Sequence, residues 1–296
     1  MCARPGVMVD VTGFLKDGFR MKPITKESVE EARAKEPKRI CFATTHATEP
    51  KRSKRDGYAG SFNVPFGDGF ARLFPYDLFP NRHDSYHEDS VWRSISSKEE
   101  FEEIDAWVKQ QENRVFLRDC LSASIAMSYN FTDRHEGERT EIGALEYRAK
   151  QHQDMDAVEA LAGHCRDTIM EIPLYREADL LCAPPPRPSK EFDLPSQVVS
   201  IVSNWIGKDD ITGHFRFNAE KKPVKSATLD EKWAAWDTAR LAFEGIDITG
   251  KKIVLIDDKY QSGTTIQYIA MKLQEAGADQ VHGLSMIKTM RDTDNQ

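Results

Sequence analysis

The sequence predicts an α/β protein: an open, mostly parallel sheet with an N-terminal α+β extension. Three observations predict it. Short apolar runs at 179–183, 253–256 and 281–287 have the length of buried strands. Amphipathic helical segments alternate with them, which implies parallel pairing. The regular alternation begins near residue 140, so residues 1–140 read as a separate region of unread role and 141–296 as the α/β domain.

In the first region, Thr25 opens a short helix through 27–35, and 39–43 follows as a strand. From His46 to about Ser96 the chain is rich in Gly, Pro, Asp, Asn and aromatics. An irregular stretch of that length is functional or disordered, and its aromatic content argues against disorder. Ser97 and Glu100 form a capping box that opens a helix ending near Gln111. Residues 115–117 read as a strand, while 121–128 fits either helix or strand.

In the second region, Met155, Val158, Leu161, Ala162, Cys165 and Ile169 share one helical face. The strand at 179–183 is stopped by Pro184, Pro185 and Pro186. Pro195 starts a helix that Gly207 closes. Thr228 and Glu231 form a second capping box, ahead of Trp233 and Trp236. After the strand at 253–256, Ile266, Ile269, Ala270 and Leu273 mark a helix stopped by Gly277, and 281–287 is the last strand.

Composition narrows the function classes. Of 296 residues, 40% are hydrophobic and 30% charged, as in soluble globular proteins. The net charge of −7 argues against an unaided nucleic-acid binder. The basic run Lys51, Arg52, Lys54, Arg55 reads as solvated, although contact with nucleic acid stays open there. The longest uncharged stretch, 194–207, has roughly 14 residues against the about 20 that span a membrane. The N-terminus lacks the features of a signal peptide. Five scattered cysteines without a CxxC pair suit reduced thiols, so a cytoplasmic protein is expected. His83 and His87 read as exposed loop residues, and the five tryptophans as packing residues. Cys120, beside Asp119, has no evident base to make it a nucleophile.

The chemistry is concentrated in 253–265. Four apolar residues make a buried strand, and Asp257 and Asp258 follow where it leaves the sheet. Next come Gln261, Ser262, Gly263, Thr264 and Thr265, then a helix. Ligands of open parallel sheets bind at the carboxyl ends of strands. Hydroxyls, loop amides and a helix N-terminus suit a phosphate monoester, which Gly263 lets the backbone approach. The two carboxylates then face sugar hydroxyls, and they suit a ribose whose hydroxyls are shared with Mg²⁺. No GxxxxGK[ST] loop occurs.

Four apolar residues, two acids and a Gly turn in this order resemble the PRPP-binding motif of the type I phosphoribosyltransferases, so that fold is expected for 141–296. The resemblance is closest to the ComF-like branch, whose proline-ended strand and arginine-bearing loop match 182–192. It implies pyrophosphate contacts at Arg187 and Lys190. It also implies a loop at 221–232 that closes over PRPP, with Lys225 and Lys232 acting in catalysis beside Asp257 and Asp258. Metal contact by Asp257 and Asp258 would be indirect, through the ribose hydroxyls, with Mg²⁺ as cofactor. The implied chemistry is displacement of pyrophosphate at C1 of the ribose, and the reverse flow uses the same residues.

Two positions depart from the pattern. Gln261 stands where purine-salvage members carry an Asp, and Gln cannot act as a general base. Lys259 replaces an apolar residue and either pairs with Asp257 or Asp258 or points to solvent. The SGTT turn, the segment 287–295 and the long N-terminal region together resemble phosphoribosyltransferase toxins of ShosT-type anti-phage toxin–antitoxin modules. That implies a DprA-like antitoxin partner and action on PRPP or nucleotide metabolism. A homodimer is compatible with it, and no membrane is involved. A ComF-like DNA-uptake factor and a non-catalytic PRPP or nucleotide sensor are the other readings of the same motif.

Overall fold

The computed structural model describes residues 21–44, 50–54, 57–64, 73, 84–87, 90–133, 137–220 and 228–290. Thirteen strands are described, β1 to β13 in chain order. Seven build the main sheet: Arg39–Ile40 (β1), Val115–Leu117 (β6), Ala123–Tyr129 (β7), Leu180–Cys182 (β8), Asp209–Asp210 (β9), Lys252–Tyr260 (β12) and Gln280–Lys288 (β13). Their order is β1-β6-β7-β13-β12-β8-β9. The pairs from β7 to β9 are parallel, and β1-β6 and β6-β7 are antiparallel. The protein is thus α/β with an open, mostly parallel sheet, as the alternation predicts.

The sheet runs across the change of pattern at residue 140, because β7 lies beside β13, with Leu284 opposite Ile125. Residues 121–128, which fit helix or strand, fold mainly as β7, a strand buried along its whole length. A strand covered on both faces has no alternation to betray it. Lys51–Arg52 (β2), Gly60–Val64 (β3), Asp84–His87 (β4) and Ser90–Ile95 (β5) form a separate antiparallel sheet. Phe215–Phe217 (β10) and Leu241–Phe243 (β11) pair as a two-stranded ribbon.

Side chains alternate across the main sheet, so its central strands feed two cores. Val254, Ile256, Leu284, Met286 and Ile125 pack with the helices Glu141–His152, Met155–Glu171 and Leu194–Ile206. Ile253, Leu255, Val281 and Ala126 pack with the helices Lys26–Ala34, Leu229–Thr238 and Thr264–Glu275.

Helix ends follow the caps written in the sequence. Thr25 and Thr228 close full capping boxes, and Ser97 accepts from the Glu100 amide at the start of Lys98–Gln110. Gly207 takes the left-handed conformation, φ 66°, that ends Leu194–Ile206. Among the described residues no helix is long and apolar enough to cross a membrane.

Candidate functional site

Two loops leave the sheet at the same carboxyl edge. β8 and β12 are parallel neighbours, with Leu180 opposite Ile253 and Cys182 opposite Leu255. The loop after β8 carries Arg187 and Lys190, and the loop after β12 carries 261–263. The acid pair lies within β12, which runs on past its apolar core to Tyr260. The structure therefore brings the pyrophosphate-loop candidates to the same edge as the acid pair.

The turn after β12 is three residues long. Gly263 has φ 74° and is the N-cap of Thr264–Glu275, with no side chain capping that end. Side-chain caps are the usual partners of a helix's first amides. An uncapped, partly positive end is suited to an anion. The Ser262 and Thr264 hydroxyls are 3.0 Å apart and both residues are buried. Gln261 and Thr265 are half-buried on either side.

A support that the sequence does not announce holds this turn. The Tyr260 ring lies against Gly263, so that a Cβ there would fall 2.2 Å from the Tyr260 hydroxyl. Tyr260 donates to Asp119 Oδ2 at 3.2 Å. Gln267 donates from Nε2 to the Gly263 carbonyl at 3.2 Å and accepts from the Cys120 amide at 3.1 Å. Burial pushes the Asp119 carboxyl up to about 6. Burial, then the neighbouring Asp119 charge, raises the Tyr260 hydroxyl well above its ordinary value. The only sequence signal is the position of Asp119 near a strand end.

The acid pair has a cation of its own. Asp258 is bonded by Lys150, on the helix Glu141–His152. Glu146, one turn earlier on that helix, lies 3.6 Å from both Lys150 and Lys259. Lys259 thus pairs with Glu146, a partner that neither sequence alternative included. Asp257 accepts from the Asp258 amide at 2.9 Å. Burial, and then the adjacent Asp258 charge, raises the Asp257 carboxyl. Burial pulls the Lys150 ammonium down, but Asp258, Glu146 and Asp257 outweigh it and its pKa is raised. Lys150 and Glu146 are spaced i, i+4, a pattern common on solvated helices, so spacing alone does not distinguish them.

The other candidates lie as follows. Arg187 is half-buried in the loop after β8. Lys190 bonds Asp193 at 2.6 Å, and Asp193 caps Leu194–Ile206. The Asp193 charge also contributes to raising Asp257, so this loop and the acid pair are electrostatic neighbours. Lys232 is half-buried on Leu229–Thr238, a helix whose Trp233 and Trp236 rings pack on Tyr268 at 5.0 and 5.3 Å. Lys225, His83 and Arg55 lie outside the described residues, as does the side chain of His87. Lys288 ends β13 with only 1% of its surface exposed, and burial, then Arg39 and Lys38, lower its ammonium to about 6.

The donor set does not fit a divalent ion bound directly by the protein. Mg²⁺ takes several hard oxygen ligands. Here one of two adjacent carboxylates already carries an ammonium. Among the described residues no group of three or more His, Cys, Asp or Glu could hold a metal ion.

No protein-family model matches the sequence, and no curated protein matches it. Solved structures similar to the chain include an adenine phosphoribosyltransferase from Thermoanaerobacter pseudethanolicus, at 16% identity over 46% of this chain and 83% of that one, TM-score 0.29. A hypoxanthine phosphoribosyltransferase from Staphylococcus aureus is 13% identical over 47% of this chain and 70% of that one, TM-score 0.29. A glutamine PRPP amidotransferase from B. subtilis is 15% identical over 76% of this chain, which spans 46% of that one, TM-score 0.28. At scores of this size the likenesses add no weight to the reading of the site.

Proposed function

We propose that the chain is a phosphoribosyltransferase-type enzyme acting on PRPP, or on a nucleotide with pyrophosphate. One observation carries the reading: an acid pair and an uncapped helix N-terminus, separated by the Gly263 turn, stand together at the carboxyl edge of parallel strands. Gln261, Ser262, Gly263, Thr264 and Thr265 cradle the 5′-phosphate. Asp257 and Asp258 grip the ribose hydroxyls. Arg187, with Lys190 when it leaves Asp193, receives the pyrophosphate. Lys225 and Lys232 act in catalysis beside Asp257 and Asp258. Mg²⁺ enters with the diphosphate as part of the substrate. The chain's own residues orient the sugar and stabilise the departing charge, which is where such a reaction gains most.

In the cell we assign this activity to a cytoplasmic ShosT-type toxin with a DprA-like antitoxin partner, acting on nucleotide metabolism. The sensor reading draws on Gln261, which offers no base for an incoming nucleophile.

The test is binding and turnover of labelled PRPP with a panel of bases, for wild type and for D257N/D258N. Loss of ligand binding, with loss of growth inhibition on expression, is expected of the double variant. Unchanged binding and unchanged inhibition would remove the active-site assignment.

A further inference from the structure

The acid pair presents a charge problem. Asp257 and Asp258 are adjacent, Asp258 is 9% exposed, and the turn beside them is built for a second anion. Like charges so placed disfavour ionisation and repel a phosphate. This chain places an ammonium there: Lys150 bonds Asp258 and lies 3.6 Å from Glu146. Glu146 is itself 3% exposed at its side chain and is shared with Lys259 at 3.6 Å. The lysine is therefore held from behind by a buried carboxylate while it faces the acid pair. Three acidic groups, Asp257, Asp258 and Glu146, meet two ammoniums, Lys150 and Lys259, against two acidic groups and none if the helix were absent and Lys259 turned away.

We propose that Lys150 is a positioning residue acting through Asp258: its ammonium is the resident counter-cation of the acid pair. The pair then holds the hydroxyls of a phosphorylated sugar without a divalent ion. Divalent ions serve only the diphosphate of a substrate that has one. The proposal rests on the phosphate-cradle reading above.

Ribose 5-phosphate is the probe, because it keeps the phosphate and the diol and lacks the diphosphate. Its affinity for wild type, K150M and K150R is measured by calorimetry in EDTA and in excess Mg²⁺, with thermal melts as a check of folding. Wild type is expected to bind equally in both buffers, within about twofold. K150M is expected to weaken at least about tenfold in EDTA and to recover in Mg²⁺, since a unit charge at contact distance is worth more than that. K150R is expected to follow wild type, which a merely structural role for the lysine would not produce together with the metal dependence.

Wild-type affinity that collapses in EDTA overturns the proposal and leaves the cradle standing. So does K150M binding tighter than wild type, which would make the lysine an inhibitor. A wild type that binds ribose 5-phosphate in neither buffer overturns the cradle itself, and this proposal with it. If K150M does not fold, the wild-type comparison and K150R decide between the same outcomes.

Discussion

Replacing Gly263 with Ala tests how the turn is held. Gly263 has φ 74°, where an L-residue costs about 1–2 kcal/mol. The added Cβ would also fall 2.2 Å from the Tyr260 hydroxyl and 2.4 Å from Cζ. That ring cannot swing away cheaply, because Tyr260 is 7% exposed and its hydroxyl is bonded to Asp119. Overpacking of this kind costs about 1–3 kcal/mol. The sum is a loss of about 2–5 kcal/mol. Y260L removes the ring end and should isolate the first part, so that G263A in that background costs only about 1–2 kcal/mol. Urea unfolding of wild type, both single variants and the double variant closes the cycle. A G263A change below about 0.5 kcal/mol in wild type, or an undiminished cost in the Y260L background, would refute the reasoning.

Two further predictions concern pH. Asp119 has its carboxyl raised to about 6 from 3.8, so between those values the folded chain binds more protons than the unfolded one and wild-type stability falls as pH rises. D119N lacks this slope: its stability relative to wild type should climb through that window, by no more than about 1.4 kcal/mol per pH unit, and urea midpoints from about pH 3.5 to 8 would show it. Lys288 is lowered to about 6 from 10.5, so at pH 7 the unfolded chain holds a proton that the folded one has released. K288M should therefore be more stable than wild type at pH 7, with a gain that shrinks as pH approaches 10.5, and a difference in urea midpoint that stays flat over about pH 7–10 would contradict this.

Local signals were legible and partners were not. Helix starts at Thr25, Ser97 and Thr228, and the stop at Gly207, could be read because a cap is a contact between residues three or four apart. The strand, acids and glycine turn of 253–264 were readable for the same reason, being contiguous. Strand β7 is ambiguous, since the layers packed on the two faces of the sheet bury it throughout, while its ladder partners β6 and β13 depend on long-range pairing. Lys150 lies 108 residues from Asp258, and no local pattern marks such a pair. Asp119 reaches Tyr260 across 141 residues in the same way. Lys259 was expected to meet its own acid pair or water, and its partner Glu146 is a helix residue whose facing depends on packing.

The place of β13 in the sheet has a consequence for biosynthesis. The strand translated last among those described is inserted between β7 and β12, so it lies in the middle of the sheet. Until residues 280–288 are in place, the other strands can form only two sheet fragments with unpaired inner edges, and one of those edges belongs to the strand bearing Asp257 and Asp258. Such edges invite pairing with other chains until they are closed. The strand that bears the acid pair therefore stays open on that side until residues 280–288 slot in and seal both halves at once.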